Sequence, residues 1–481
     1  MSTVLVSEPA APPSAAPARR SWPTPRRLLV LGILAVLLSA GLGTLIATSA
    51  GSAGTEVTVI GEQAAPQVRV TTDLYFALSD LDAQAANALL VGTAPAMASE
   101  RTAALNLYEQ RRTQADTDLQ QAAADGGSDP VVQQGIRTAL NQLGQYESLV
   151  SQALLVNQQG ADPAGRPSAA TLAQYRQATD LMQTVLTGVQ KLTDHNHAIL
   201  DNTYAQDSAD SVSTQVWIGV LGGLLVLVLG AIQVQLWLRQ RRRLNPALLG
   251  STAVALLVTV LGVSALGSEA SSLRTAKQDA FDSIVALAQA RAVSYNANAD
   301  ESRYLVDPQR AAQYQQAFET KIQSLASFPG VGLAQYEPAL SAAMASYRKD
   351  NADVGFGGYF GNELTNVTFA GEGQAAQRTI AAFQTYLTDD EHLRALNTSG
   401  NLSGAIQFDI STAPGNSDYA FNAYDSALTE LTGINQSAFT ASIGQAQSAL
   451  AGWTLLIPGI AALLVLGLTA LGLWPRIAEY R

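Results

Sequence analysis

The stretch "VWIGVLGGLLVLVLGAIQVQLWLRQRRRLNPALLGSTAVALLVTVLGVSALG", Val216 to Gly267, decides the architecture. It holds two uncharged apolar runs, residues 216–238 and 247–267, separated by the basic connector "RQRRRLNP" at 239–246. A helix rises about 1.5 Å per residue, so each run can cross a hydrocarbon core of about 30 Å. The connector carries Arg239, Arg241, Arg242 and Arg243. Short arginine-rich loops stay on the cytoplasmic side, so the stretch reads as two membrane helices joined by a cytoplasmic turn.

Two further blocks have the same character, Leu28 to Ala50 and Trp453 to Trp474. All five tryptophans (Trp22, Trp217, Trp237, Trp453, Trp474) fall at or beside a block edge, where the ring prefers the headgroup level. The small residues "ATSAGSA" after the first block would also suit cleavage of a secretory signal, but the run is long for the apolar core of one. The reading is four spans: 28–50, 216–238, 247–267 and 453–474.

Arg19, Arg20, Arg26 and Arg27 precede the first span, and Arg476 and Arg481 follow the last. The chain is therefore expected to be a multi-pass plasma-membrane protein with both termini cytoplasmic. On that side ten arginines face only Glu8 and Glu479, a rim of +8; the other 18 basic and 37 acidic residues leave the outer segments at −19. An acidic exterior argues against nucleic acid, while a basic rim suits anionic membrane lipid or an acidic protein. There is no cysteine, so packing alone must hold the outer segments.

Residues 1–27 are rich in Pro and Ala without an apolar period and read as a disordered cytoplasmic tail, with 475–481 a second short tail. Residues 51–215 read as four amphipathic helices. Leu74, Leu78, Leu81, Ala85 and Ala88 make one seam; Ile136, Leu140, Leu143, Val150 and Leu154 another; Met182, Val185, Val189, Leu192 and Ile199 a third. "DGGSDP" (125–130) and "NQQGADPAGRP" (157–167) break the chain between them, and a helix at 99–124 completes the set.

Residues 268–452 begin alike, with Phe281, Ile284, Ala288 and Tyr295 in a seam and turns at "VDP" (306–308) and "SFPGVG" (327–332). Loop insertions at 352–373 and 397–418 distinguish this second copy. The fold class is an all-α membrane protein: four transmembrane helices and two extracytoplasmic four-helix-bundle-like domains in tandem, a duplicated span–bundle–span unit.

No catalytic, cofactor or metal signature appears, and the chain reads as a non-enzyme. His195 and His197 in "DHNH" stand at i and i+2, on different helix faces, and read as solvated polar residues. "TDDEH" (388–392) lacks the spacing of a calcium loop and reads as an acidic helix-end surface. The spans carry no charge, which argues against transport. Ala35, Ser39, Gly43 and Ala47 form a small-residue stripe, and Gly219 with Gly223 a GxxxG; both suit packing within the chain, or a homodimer. Pro458 would kink the fourth span.

The candidate contact surface lies in the insertions. "GFGGYFGNELTNVTFAGEG" (355–373) has glycines expected to bar a helix over 355–361, and it offers Tyr359, Phe360, Asn362, Glu363, Asn366 and Phe369 to a partner. Asn416 and Asp418 of the later insertion, with Phe421 just after it, are expected to fold beside them. Packing of the aromatics onto a bundle is the plainer alternative.

"GYFGNELTNVTFAGE" (358–372), "PGNSDYAFNAYDSALTELTGINQSAF" (414–439), the tandem layout and the ending "WPRIAEYR" resemble the actinobacterial GlnX-like membrane proteins. The resemblance implies a sensor or adaptor. It would couple an extracytoplasmic solute-binding lipoprotein for glutamate or aspartate to a cytoplasmic Ser/Thr kinase, kinase G, with the arginines at 239 and 241–243 as a cytoplasmic rim. The alternatives are a structural envelope scaffold and a direct small-molecule sensor acting through a bundle.

Overall fold

The computed structural model describes residues 24–240 and 245–478. The tail through Pro23, the rim arginines Arg241, Arg242 and Arg243, the side chain of Arg239 and the last three residues lie outside the described residues. The first half comprises α1 (Thr24–Thr58), α2 (Ala65–Val91), α3 (Ala98–Asp125), α4 (Pro130–Gln159) and α5 (Ala169–Gln240). The second comprises α6 (Pro246–Arg274), α7 (Asp282–Val306), α8 (Ala311–Leu325), α9 (Leu333–Tyr347), α10 (Gly358–Thr365), α11 (Glu372–Thr398), α12 (Leu402–Ile410), α13 (Ser417–Ala449) and α14 (Leu456–Ala478). Segments of α1, α5, α6 and α14 are long and apolar enough to cross a bilayer, and the chain is a multi-pass membrane protein.

Turn chemistry sets the boundaries. In "DGGSDP" the Asp129 carboxylate accepts from the backbone N–H of Val131 and Val132 while Pro130 opens α4, where a missing N–H costs nothing. Each half also contains a π-helical turn that periodicity gives no sign of, Val59–Ala64 after α1 and Thr275–Phe281 after α6. Phe281 thus belongs to a π turn and not to a regular seam. The recurrence at matching places agrees with a duplicated unit.

The chain divides into a span unit (Met1–Gly51, Val212–Leu266, Ala451–Arg481) and an extramembrane unit (Ser52–Ser211, Gly267–Leu450). Within the extramembrane unit, α2, α3, α4 and the first part of α5 enclose the expected four-helix core: Leu74, Leu78, Leu81, Leu119, Ile136, Leu143, Val150, Met182 and Val185 are all buried. Leu140 and Ile199, expected in the seams, are exposed. The second half builds its core around Phe318, Phe360, Phe383, Tyr386 and Tyr424.

The two cores are not separate. Phe76 of α2 sits in the second core, edge-on to Tyr295 at 4.9 Å between ring centroids. Val57, Ile60 and Val68 pack with Ile284, Phe439 and Ile443. Helices α2 and α7, the corresponding helices of the two halves, are buried along most of their lengths.

That burial includes charge. The Arg303 guanidinium of α7 pairs with Asp82 of α2 and, at 2.5 Å, with Asp300. Asp82 also accepts from Tyr146 Oη of α4 at 2.9 Å, and Lys321 of α8 pairs with Asp300. Two carboxylates meet two cations, so this layer is neutral, and Asp82, Asp300 and Arg303 are almost wholly buried. Arg176 of α5 adds a two-pronged bond to the buried Asp307 at 2.7 and 2.5 Å, in the "VDP" turn.

In the span unit, Ala35 and Ser39 are buried, and a Cβ at Gly43 would lie 3.5 Å from the Pro458 carbonyl, so the stripe on α1 packs within the chain. The GxxxG does not: a Cβ at Gly219 or Gly223 would meet nothing within 4 Å, and Gly222 between them faces Thr259 instead. Pro458 falls in the first turn of α14, where no intrahelical N–H bond is owed, and it therefore does not kink the span. Gln233 donates to Thr252 Oγ1 at 2.9 Å and Ser251 pairs with Thr469 at 2.9 Å, polar ties that are satisfied inside an apolar bundle.

Removing one partner from a buried ion pair strands the other. Arg303→Ala is expected to lower the unfolding free energy of the solubilised full chain by about 3–5 kcal/mol. Asp82→Asn with Arg303→Met should cost less than the sum of the single changes. Denaturant unfolding measures both; additive single and double effects would show that the pair is not coupled.

Candidate functional site

The glycine-aromatic run contains a helix after all. α10 starts at Gly358 (φ +79°), where a Cβ would stand 2.7 Å from the Ser324 carbonyl and 2.8 Å from that of Leu325. Glycine lets the chain pass the carboxyl end of α8, and the helix follows. The Phe360 ring then enters the interior, 5.5 Å from Phe383 and 6.2 Å from Tyr424. Phe421 lies 5.2 Å from Tyr386.

Phe360, Glu363 and Phe421 are therefore buried and are removed from the expected contact surface. Asn366 donates to the Asp279 carbonyl and to Ser283 Oγ, both at 3.0 Å, and Phe369 packs against the cluster around Phe439. Tyr359 and Asn416 are half-buried, and Asn362 is exposed.

Nor do the two insertions form one surface. Gly371 approaches Ile434 of α13, whereas Asp418 lies sixteen residues earlier on that helix, about 24 Å along its axis. The later insertion borders a cavity of 340 Å³ between α2, α3 and the 410–418 segment. Its walls include Gln84 and Asn87 of α2, Glu100 and Leu107 of α3, Thr412 and Asp418. Among the described residues that line it, none is basic.

Asp418 forms no hydrogen bond or ion pair with any described residue, and burial, with Asp80 adding to it, pushes its carboxyl up to about 7. Behind it Asp409 is buried, its Oδ2 3.0 Å from Ser302 Oγ, which in turn is 2.6 Å from Asn87 Oδ1. Burial and the neighbouring Asp418 hold Asp409 well above the usual carboxylate range. Glu301 accepts from Tyr386 Oη at 2.6 Å, and Asp390 pairs with Arg394 at 2.8 Å. Asp390 is thus buried in the middle of α11, so "TDDEH" is neither wholly surface nor at a helix end.

The two histidines do point apart. His195 reaches Asp129 at 3.0 Å, while His197 lies 3.1 Å from Asp201 and 3.4 Å from Asp282. His197, Asp201 and Asp282 offer ligand atoms close enough together for a metal ion, a grouping hidden from a search of adjacent histidines because its third member comes from the other half. The Lys277 ammonium stands 2.5 Å from Asp201 and 2.7 Å from Asp282, so the cation of this cluster is a lysine.

Comparison with known families adds one match: residues 56–205, the end of α1 through most of the extramembrane part of α5, fit the model of the actinobacterial sensor domain. No curated protein and no solved structure matches the chain. The match supports a sensor role for the first half of the extramembrane unit. Asp80, Asp82, Gln84, Asn87 and Glu100 fall inside it, and Asp300, Arg303, Asp409 and Asp418 outside.

Glu363 supplies a pH test. Burial, with Glu372 beside it, pushes its carboxyl up to about 7, against hydrogen bonds from Ser283 and from Asn435, the latter at 3.4 Å from Oε1, that pull the other way. A carboxyl raised on folding contributes fully below its unfolded value near 4.5 and loses that contribution as pH climbs through about 7. Glu363→Gln should therefore melt as wild type does at pH 4 and be more stable by roughly 1–3 kcal/mol at pH 8. Equal melting profiles across that range would refute the assignment.

Proposed function

We propose that the chain is a membrane sensor that reports the state of an extracytoplasmic solute-binding lipoprotein for glutamate or aspartate to a cytoplasmic Ser/Thr kinase. The observation that carries the sensor reading is the sensor-domain match over 56–205, joined to the second half through the buried Asp82–Arg303 pair. A change in one half must strain or relieve a desolvated ion pair shared with the other. The lipoprotein and the kinase are supported by the resemblance of the second half to the GlnX-like proteins. The exposed Asn362 and the half-buried Tyr359 and Asn416 remain for a protein contact, together with Tyr419, 47% exposed, and Val367, 38% exposed. The arginines at 239 and 241–243 suit the kinase side.

A second reading, direct sensing of a small molecule, is favoured by the cavity under Asp418. A passive envelope scaffold has no such observation behind it. Recovery of the tagged full chain from native membranes, with and without glutamate or aspartate, separates the readings. Ligand-dependent recovery of the lipoprotein, weakened several-fold by Tyr359→Ala with Asn362→Ala at unchanged melting temperature, is the expected result. Recovery indifferent to ligand would favour the scaffold.

A further inference from the structure

We infer that the cavity between α2, α3 and the 410–418 segment is a binding site for a small organic ammonium compound, held through Asp418 and Glu100. The inference deepens the direct-sensing reading and rests on it for a role in signalling, though not for its chemistry.

Three observations converge. The first is charge. Asp418 lines the cavity with no described partner for its carboxylate, and Glu100 lines it from α3, where Ser99 Oγ donates to its Oε2 at 2.8 Å. Behind it, among the described residues, Arg394 is the one cation paired with the Glu301, Asp390 and Asp409 group, Arg291 and Arg303 being taken by Asp425 and by Asp82 with Asp300, and burial holds Glu301 and Asp409 toward their protonated forms. A space bordered by carboxylates in excess of cations favours a cationic guest and repels a dicarboxylate.

The second is hydrogen-bond direction. Gln84, which lines the cavity, gives its amide N–H to Asp80 Oδ1 at 2.8 Å, which leaves its carbonyl oxygen to accept. Carboxylates and a carbonyl want a guest rich in N–H, and a primary ammonium has three. The third is size and lining. At 340 Å³, with Val91, Leu107 and Ile410 as an apolar wall, the cavity suits a guest with a short carbon chain and not a bare hydrated metal ion.

The site also lies where a guest could act. Gln84, Asn87 and Glu100 belong to the sensor-domain half, Asp418 to the other, and Asn87 meets Ser302 of α7 directly at 2.6 Å. An ammonium bridging Glu100 and Asp418 would draw the halves together beside the Asp82–Arg303 pair.

The test uses the full chain in nanodiscs with putrescine as probe, and with 1,4-butanediol, glutarate and magnesium chloride as the neutral, anionic and inorganic-cation counterparts. Putrescine should bind saturably by calorimetry and raise the melting temperature, and the other three should not. Asp418→Asn and Glu100→Gln, each melting as a cooperative folded protein, should weaken putrescine roughly tenfold or more apiece. No putrescine binding, equal effects of magnesium and putrescine, binding of glutarate, or undiminished putrescine affinity in both variants would each overturn the inference. Binding is read without any partner, so a failed recovery of the lipoprotein bears on the relay and not on this site.

Discussion

Asp82 and Arg303 form the contact on which the extramembrane unit depends. Each is almost wholly buried, and each comes from a different half of the chain. A lone ion in that position would cost several kcal/mol, so neither half can shed the other without exposing or stranding a charge. The surrounding atoms follow from the same demand. Tyr146 donates to the second oxygen of Asp82, Asp300 takes the other arm of the guanidinium, and Lys321 neutralises Asp300. Buried polar groups tolerate few arrangements, and this layer therefore sets how α2 meets α7 more sharply than apolar packing would.

Much of the fold was legible because period and punctuation are local. The four apolar blocks, the α2 seam and the "DGGSDP" stop are each specified by neighbours within a few turns, and the structure has them. What local pattern could not show is partnership between the halves. The α7 sequence "YNANADESRYLV" is strongly polar yet buried, and a helix that is buried despite lacking an apolar stripe implies a polar partner elsewhere in the chain. That was the available signal for Asp300, Glu301 and Arg303. The π turns left none, since one extra residue per turn does not alter composition.

The candidate site was legible only in part, and for a physical reason. Aromatic residues near glycines look alike whether they serve a binding surface or a tight passage of backbone. The distances decide: Gly358 clears the carbonyls of Ser324 and Leu325, Phe360 fills the space among Phe383 and Tyr424, and Glu363 is carried inward with them. Asp418 was singled out for a protein contact and stands at a cavity wall instead. Its partners there, Gln84, Asn87 and Glu100, lie more than three hundred residues earlier, beyond the reach of spacing arguments.

Two kinds of buried charge thus share one body. Around Arg303 the ions balance within the protein, which resists change. Around Asp409 and Asp418 they do not, and the imbalance must be met by protons or by something from outside. A sensor needs both: an unbalanced place whose energy a signal can alter, and a rigid connection that spreads the alteration. Here Ser302, in contact with Asn87 and Asp409, is the residue immediately before Arg303 in α7, so the two kinds of site are one helical step apart. A change in charge at the cavity cannot be confined to it, because the backbone that positions Ser302 is the backbone that positions the clasp.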